Sequence, residues 1–293
     1  MKHFAHYIRR SVVDPSDQFG QTEPPYAELQ PPDQGFQVPA YHSVAANSGV
    51  ASRVSVGDMV WLFSQLSSPW GKLMPSLDAT IRVATIEKEE HAGGRYRFGA
   101  ASDSKWHPLF DAIELTRELA TVDAKSDVHP LLNTPRTAIG QALQFLREIA
   151  DPAPLLRHAE ELSETPIDFI SYRIVDGTRS AFGLAKLLLE QKRAVFWDRW
   201  SLPRRLAERA LVVSGGALDS HVASTIEASR IVWGVTSASY ATEGSYSKLE
   251  KELASKLGKF ESFSPCVNPQ DTHIIPGVSH PSHSSQRMGK LRP

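Results

Sequence analysis

The chain has 293 residues, 41% of them hydrophobic and 22% charged, with a formal net charge of −1; this is an ordinary globular composition of about two domains, and it gives no bulk attraction to nucleic acid or anionic lipid. No window approaches the roughly 18 consecutive apolar residues of a membrane span, and the opening MKHFAHYIRR has no apolar stretch behind its charges, so a cytoplasmic protein without a span or a secretory signal is expected. The single cysteine, Cys266, excludes an internal disulfide framework and a zinc site of several thiolates.

Charge is unevenly spread. Residues 1–166 hold 15 Lys+Arg against 21 Asp+Glu, while residues 167–293 hold 17 against 12, so the two parts carry −6 and +5. Opposite signs fit a domain interface, an anionic ligand on the basic half, or a plain difference in surface decoration.

In chain order, residues 14–50 are rich in Pro, Gln, Ser and Gly without an apolar period and read as extended irregular chain. From Val54 the turn signal Gly57-Asp58 precedes the apolar run Met59 to Phe63, followed by LDATIRVATIEKE and, after Gly93-Gly94, by RYRFGAA, so three short strands are predicted. WHPLFDAIELTREL reads as a helix. Residues 1–125 are therefore expected to form a small, mostly β domain. Its Gly-Asp, VWLF, PSLDATIRV and RYRF segments resemble the PUA-like barrels, including EVE-type and ASCH-type domains, which implies a sensor of modified bases or RNA. Trp61, Trp70 and Trp106 read as core, although such a fold uses tryptophans to stack bases. The net −6 of this half counts against phosphate binding.

Residues 126–165 read as a helical connector. Its first helix has Asn133 or Thr134 as cap, Pro135 at the first position and Ile139, Leu143, Phe145, Leu146 and Ile149 at helical spacing; its second runs from about Pro154 to Glu161. From Ile167 strand and helix alternate: IDFISYR, then TRSAFGLAKLLLEQK capped by Asp176 or Thr178, AVFWD, LDSHVASTIEASR, IVWGVT, and GSYSKLEKELASKLG ending at Gly258. That alternation predicts an α/β unit over residues 166–278, with a parallel sheet and ligands beyond the carboxyl ends of the strands; residues 279–293 read as a flexible tail.

FISYR at Phe169 to Arg173, VFWD at Val195 to Asp198 leading into RWSLPRR, EASRIV at 227–232, and SASYA followed by GSYSKLE at 244–250 stand in the order and spacing of bacterial Toll/interleukin-1 receptor (TIR) domains. The segment Ile167 to Leu257 resembles that family. The resemblance implies a flavodoxin-like sheet and an NAD+ nucleosidase that cleaves the bond between nicotinamide and ribose, giving ADP-ribose or a cyclic nucleotide. NAD+ is then the substrate, and no cofactor or metal is implied. It further implies an antiphage defence effector that assembles through TIR–TIR contacts, with the amino-terminal domain binding a trigger. A non-catalytic adaptor working through the same contacts is the alternative. Two departures stand out. Few residues follow Gly258, where THIIPGV is the candidate fourth strand with no good fifth, and Tyr246 stands where many members have tryptophan.

Cleavage passes through an oxocarbenium-like state, so a carboxylate beside the ribose stabilises the developing charge. The resemblance assigns this role to Glu250, four residues after Tyr246 and so on the same helix face. Glu252 is the alternative register. Read alone, a glutamate in KLEKELASK is a solvated helix residue. Tyr172 and Arg173 close the first strand, and Asp198 closes the second. Trp200, Ser201 and Arg204 follow in a basic, aromatic loop expected to border the nucleotide and to anchor a neighbouring protomer. His273, His280 and His283 lack metal-ligand spacing, and the SGG at 214–216 lacks a dinucleotide fingerprint.

Overall fold

The apolar run after Gly57-Asp58 does form a strand, but a longer one than the sequence suggests. In this computed structural model, which describes residues 1–11, 39, 41–45, 49–88, 94–134, 137–201, 220–266 and 275–276, β3 covers Met59–Ser68 and returns as the 18-residue β4, Gly71–Lys88. Gly71 sits at φ +130, a value that L side chains rarely adopt. Around this hairpin lie β1 (His3–Ser11), β2 (Tyr41–Ala45), β5 (Arg95–Ala100), β6 (Lys105–Trp106), β7 (Ala120–Val122), β8 (Val128–Pro130) and β9 (Arg147–Ile149). The sheet runs β2-β5-β4-β3-β1-β9-β7-β8, with β6 beside β4, and β1 and β3 are its parallel pair. Its end strands do not pair with each other among the described residues, so these form an open mixed sheet and not a closed barrel. Most of residues 14–50 lie outside the described residues.

Two of the three helices expected before residue 166 change. The helix read over WHPLFDAIELTREL shrinks to α1, Ile113–Glu118, because Trp106 is in strand and Leu109 is pinned elsewhere by its backbone. The first connector helix survives only as α2, Ile139–Ala142. Beyond it the chain becomes β9, whose Glu148 and Arg147 pair with Phe4 and Ala5; β1 would otherwise leave that backbone edge open. The second connector helix is present as α3, Ala153–Glu164.

Both faces of the sheet are buried. Phe4, Val60, Leu62, Ala79, Ile81 and Val83 face one way, while Ala5, Trp61, Phe63 and Leu77 face the other. Leu77 and Ala79, two apart, would share a face in regular strand. A register shift, in which Leu62 pairs with Ala79 and Phe63 with Leu77, leaves Asp78 as the extra residue of a bulge and turns its side chain inward.

The second half alternates as expected: β10 (Ile167–Ser171), α4 (Ile174–Glu190), β11 (Ala194–Phe196), α5 (Asp198–Ser201), α6 (Ser220–Ala228), β12 (Ile231–Val235), α7 (Tyr246–Lys256) and β13 (Phe260–Phe263). The four strands are all parallel, in the order β11-β10-β12-β13. The fourth strand is thus Phe260–Phe263 and not THIIPGV. Of that segment only Ile275 and Pro276 are described; they form β15, antiparallel to β14 (Pro265–Cys266). Gly258, at φ +68, stops α7 and lets the chain enter β13 directly. Arg173 precedes α4 as its N-cap, without a side-chain cap from Asp176 or Thr178. Ile170, Val195 and Val235 pack beneath α4, and Phe169, Phe196 and Val232 pack beneath α6 and α7. No helix among the described residues is long and apolar enough to cross a membrane.

The two sheets share a core. Leu66, Leu73 and Leu109 of the first join the cluster around α4, and Leu109 exchanges backbone hydrogen bonds of 2.9 and 2.8 Å with Val195, covering the edge of β11. Lys192 meets Asp111 at 2.6 Å. Arg10 and Asp78, 2% and 1% exposed, form an ion pair at 2.8 Å. The same guanidinium donates to the Trp200 carbonyl and lies over the Trp200 ring at 4.5 Å.

Breaking a buried pair leaves its partner's charge without compensation. Arg10→Ala is therefore expected to cost about 3–5 kcal/mol in denaturant unfolding, and pairing Arg10→Met with Asp78→Leu should recover much of it. Acid is a second probe. Burial pushes His6 down to about 4 and His107 down to about 3. As pH falls below 6.5 the unfolded chain binds protons that these two folded histidines refuse, so the stability they contribute, full above that pH, should fall between about 6.5 and 4. Unfolding midpoints measured across that range check this.

Candidate functional site

Parallel α/β sheets take ligands beyond the carboxyl ends of their strands, where the strand order reverses, because the two flanking connections there leave in opposite directions. In this sheet the chain moves from β10 to β11 on one side and from β12 to β13 on the other, so the reversal lies between β10 and β12. Ser171 ends β10 and is level with Gly234 of β12.

The helix α7 brings a carboxyl to this point. Ser245 caps it, its hydroxyl accepting from the Lys248 backbone N–H at 3.2 Å. Tyr246, Leu253 and Ala254 turn toward the core at helical spacing, and Glu250 occupies the same stripe, where an apolar residue is expected. It is 9% exposed. Ser171, two residues after the core residue Phe169 and so on the same sheet face, donates to Glu250 Oε2 at 2.6 Å. The Tyr240 hydroxyl donates to Ser171 Oγ at 3.1 Å. Burial pushes the Glu250 carboxyl up to about 8; the Ser171 hydrogen bond opposes this, and the nearby charge of Asp198 adds to it.

Asp198 opens α5, two residues beyond the end of β11, where its Oδ1 accepts from the Tyr172 hydroxyl at 2.6 Å. Tyr172 is buried, and its ring packs 3.5 Å from where a Cβ on Gly177 would stand. The loop after β12 is tied down by Asp176, which accepts from Ser237 Oγ at 2.7 Å and from Ser239 N at 2.9 Å. A Cβ at Gly234 would lie 2.5 Å from both the Tyr240 hydroxyl and the Phe260 ring, so glycine there admits the tyrosine.

No family model matches the chain. No curated protein and no solved structure matches it either.

Of the residues singled out from the sequence, Glu250, Tyr172 and Asp198 come together. Tyr246 packs into the core beneath α7. Arg173 caps α4, and its Nε is buried without a partner among the described residues. Ser201 is half-buried with its hydroxyl in the same condition. Glu252 is 59% exposed and 3.7 Å from Lys248, an ordinary surface pair. Trp200 overturns its expectation. It is 1% exposed, its indole donates to the His107 carbonyl at 3.0 Å, and Arg10 covers its ring, so it anchors the two sheets of one chain and offers no face to a neighbouring protomer. Arg204 and the rest of that basic loop lie outside the described residues.

Sequence reasoning missed Ser171, Tyr240 and Gly234. Strand alternation from Phe169 was the signal for Ser171; nothing local marks Tyr240. A separate cluster of ligand-type groups joins the half-buried Asp123 to the exposed Asp127 and His129. Asp123 Oδ1 there accepts the backbone N–H groups of Lys125 and Asp127 at 2.7 and 3.0 Å and so closes the β7–β8 turn.

A buried acid with a raised pKa carries a definite stability signature. The folded chain holds the Glu250 proton up to about pH 8, whereas an unfolded glutamate gives it up near 4.5. Between those values folding takes up a proton at Glu250, so the contribution of this group to wild-type stability falls as pH rises. Glu250→Gln mimics the neutral acid. It should be more stable than wild type above pH 8, by on the order of a few kcal/mol, with the gap closing below about 4.5. Paired thermal melts across that pH range read the difference.

Proposed function

We propose that the protein is an NAD+ nucleosidase of the TIR kind. The observation that carries the reading is Glu250, a carboxyl buried in an apolar helix stripe at the reversal of a parallel sheet. A carboxyl is costly to keep there, and active sites are where such costs persist. The landmarks from Phe169 to Glu250 and the strand order 2-1-3-4, shared with flavodoxin-like sheets, support the same reading.

In the proposed reaction water adds to the ribose carbon as its bond to nicotinamide breaks, neutral nicotinamide leaving with the bonding electrons and the added water losing one proton to solvent to give ADP-ribose; attack by a group of the same nucleotide, with loss of a proton where that group carries one, gives a cyclic product instead. The cationic nicotinamide ring, placed beside Glu250, favours the ionised carboxylate that burial disfavours in the free protein. Glu250 then holds the ribose hydroxyls and stabilises the positive charge that develops on the sugar. Tyr172 keeps Asp198 beside it. Defence against phage, assembly through TIR–TIR contacts and a trigger bound by the amino-terminal sheet belong to the same proposal, with Trp200 excluded from those contacts.

Incubating the purified protein with NAD+ and resolving nicotinamide, ADP-ribose and cyclic products tests the reading. Glu250→Gln should lower nicotinamide release by about 10²-fold or more while the protein stays folded, and Glu252→Ala should leave it nearly unchanged. Loss on Glu252→Ala with Glu250→Gln active would move the assignment by two residues. A folded wild type that releases no nicotinamide in any assembly state would leave the adaptor reading.

A further inference from the structure

Glu250 receives one hydrogen bond among the described residues, from a hydroxyl that is itself a receiver. Ser171 has a single proton. Because Tyr240 donates to Ser171 Oγ, the serine's own proton remains for Glu250 Oε2, and the chain runs in one direction from phenol to serine to carboxyl. The phenol is a dependable first donor, since burial, opposed by the Ser171 bond and reinforced by Glu250, pushes it up to about 12. Its backbone is held from both ends of the loop: Asp176 takes Ser237 and Ser239 on one side, and the Ala241 N–H donates to Ser247 Oγ at 3.2 Å on the other. The absence of a side chain at Gly234 admits the ring.

We infer that Tyr240 and Ser171 are positioning residues for Glu250: the Tyr240 hydroxyl orients the Ser171 hydroxyl, which fixes Oε2 of the carboxyl and leaves Oε1 for the ligand. The inference deepens the proposed function, since it concerns the same carboxyl. Among the described residues, Asp198, from the segment after β11, and Tyr240, from the loop after β12, are the titratable groups that act on Glu250, and no charge from α6, β10, β12 or β13 adds to them. Hydrogen bonds passed along such a chain strengthen one another. Removing the first donor therefore weakens the last bond, the one that favours the ionised carboxyl.

The test is made on the full chain without substrate, following the carboxylic-acid C=O stretch of Glu250 by infrared difference against Glu250→Gln. The wild-type band should vanish around pH 8. Tyr240→Phe, which removes one oxygen from a half-buried ring, and Ser171→Ala should each raise that midpoint by about half a unit to one unit. The double variant should go no further than Ser171→Ala, and Ser171→Thr should restore the wild-type value. In the NAD+ assay Tyr240→Phe should lower kcat with KM nearly unchanged. An unmoved midpoint in Tyr240→Phe, or additive shifts in the double variant, would overturn the inference. A wild type that releases no nicotinamide while the coupled titration persists rejects the enzymatic reading and leaves the relay standing.

Discussion

One guanidinium holds the two halves of this protein together. Arg10 is buried on β1, paired to the carboxylate that the β4 bulge turns inward and bonded to the Trp200 carbonyl just beyond β11. A charge so placed is stable only while all its partners stay in position. It therefore fixes the segment that carries Asp198 relative to the first sheet. The backbone bridge between Leu109 and Val195 and the shared apolar cluster around α4 complete the junction. Such an interface is unlike the small polar contacts of loosely linked domains. The amino-terminal sheet is part of the scaffold of the candidate site.

Within that scaffold the site is built from disfavoured placements. A carboxyl lies in an apolar stripe, a second carboxyl stands near it, and a glycine is left bare so that a phenol reaches a strand end. Each placement costs stability, and each is met by a hydrogen bond from a hydroxyl: Ser171 to Glu250, Tyr172 to Asp198, and the admitted phenol of Tyr240 to Ser171. Hydroxyls fit this task because they can donate to a carboxyl in either protonation state without adding charge. The result is a buried acid whose carboxyl is pushed up to about 8.

The alternation of strands and helices from Ile167 onward was legible because a buried parallel strand is nearly all apolar and its flanking helices keep a clear 3.6-residue period. Tyr246 and Glu250 could be put on one helix face by spacing alone. Spacing could not say whether that face meets solvent or core. The amino-terminal half was less legible. Arg147 to Ile149 has apolar spacing that suits a helix, yet the open edge of β1 recruits it as strand, and the bulge at Asp78 breaks the alternation by which strands are read.

Trp200 marks the boundary between the two kinds of information. Local sequence determined that an aromatic residue and a run of arginines follow the second strand, that Glu250 and Glu252 point to different sides of their helix, and that the second half is α/β. Only the tertiary structure decided that Arg10, 190 residues away in the chain, covers that tryptophan, and that Ser171 and Tyr240 converge on Glu250. The physical reason is range. Periodicity and turn chemistry act over a few residues, whereas burial and hydrogen-bond satisfaction are settled between segments that meet only when both sheets have formed.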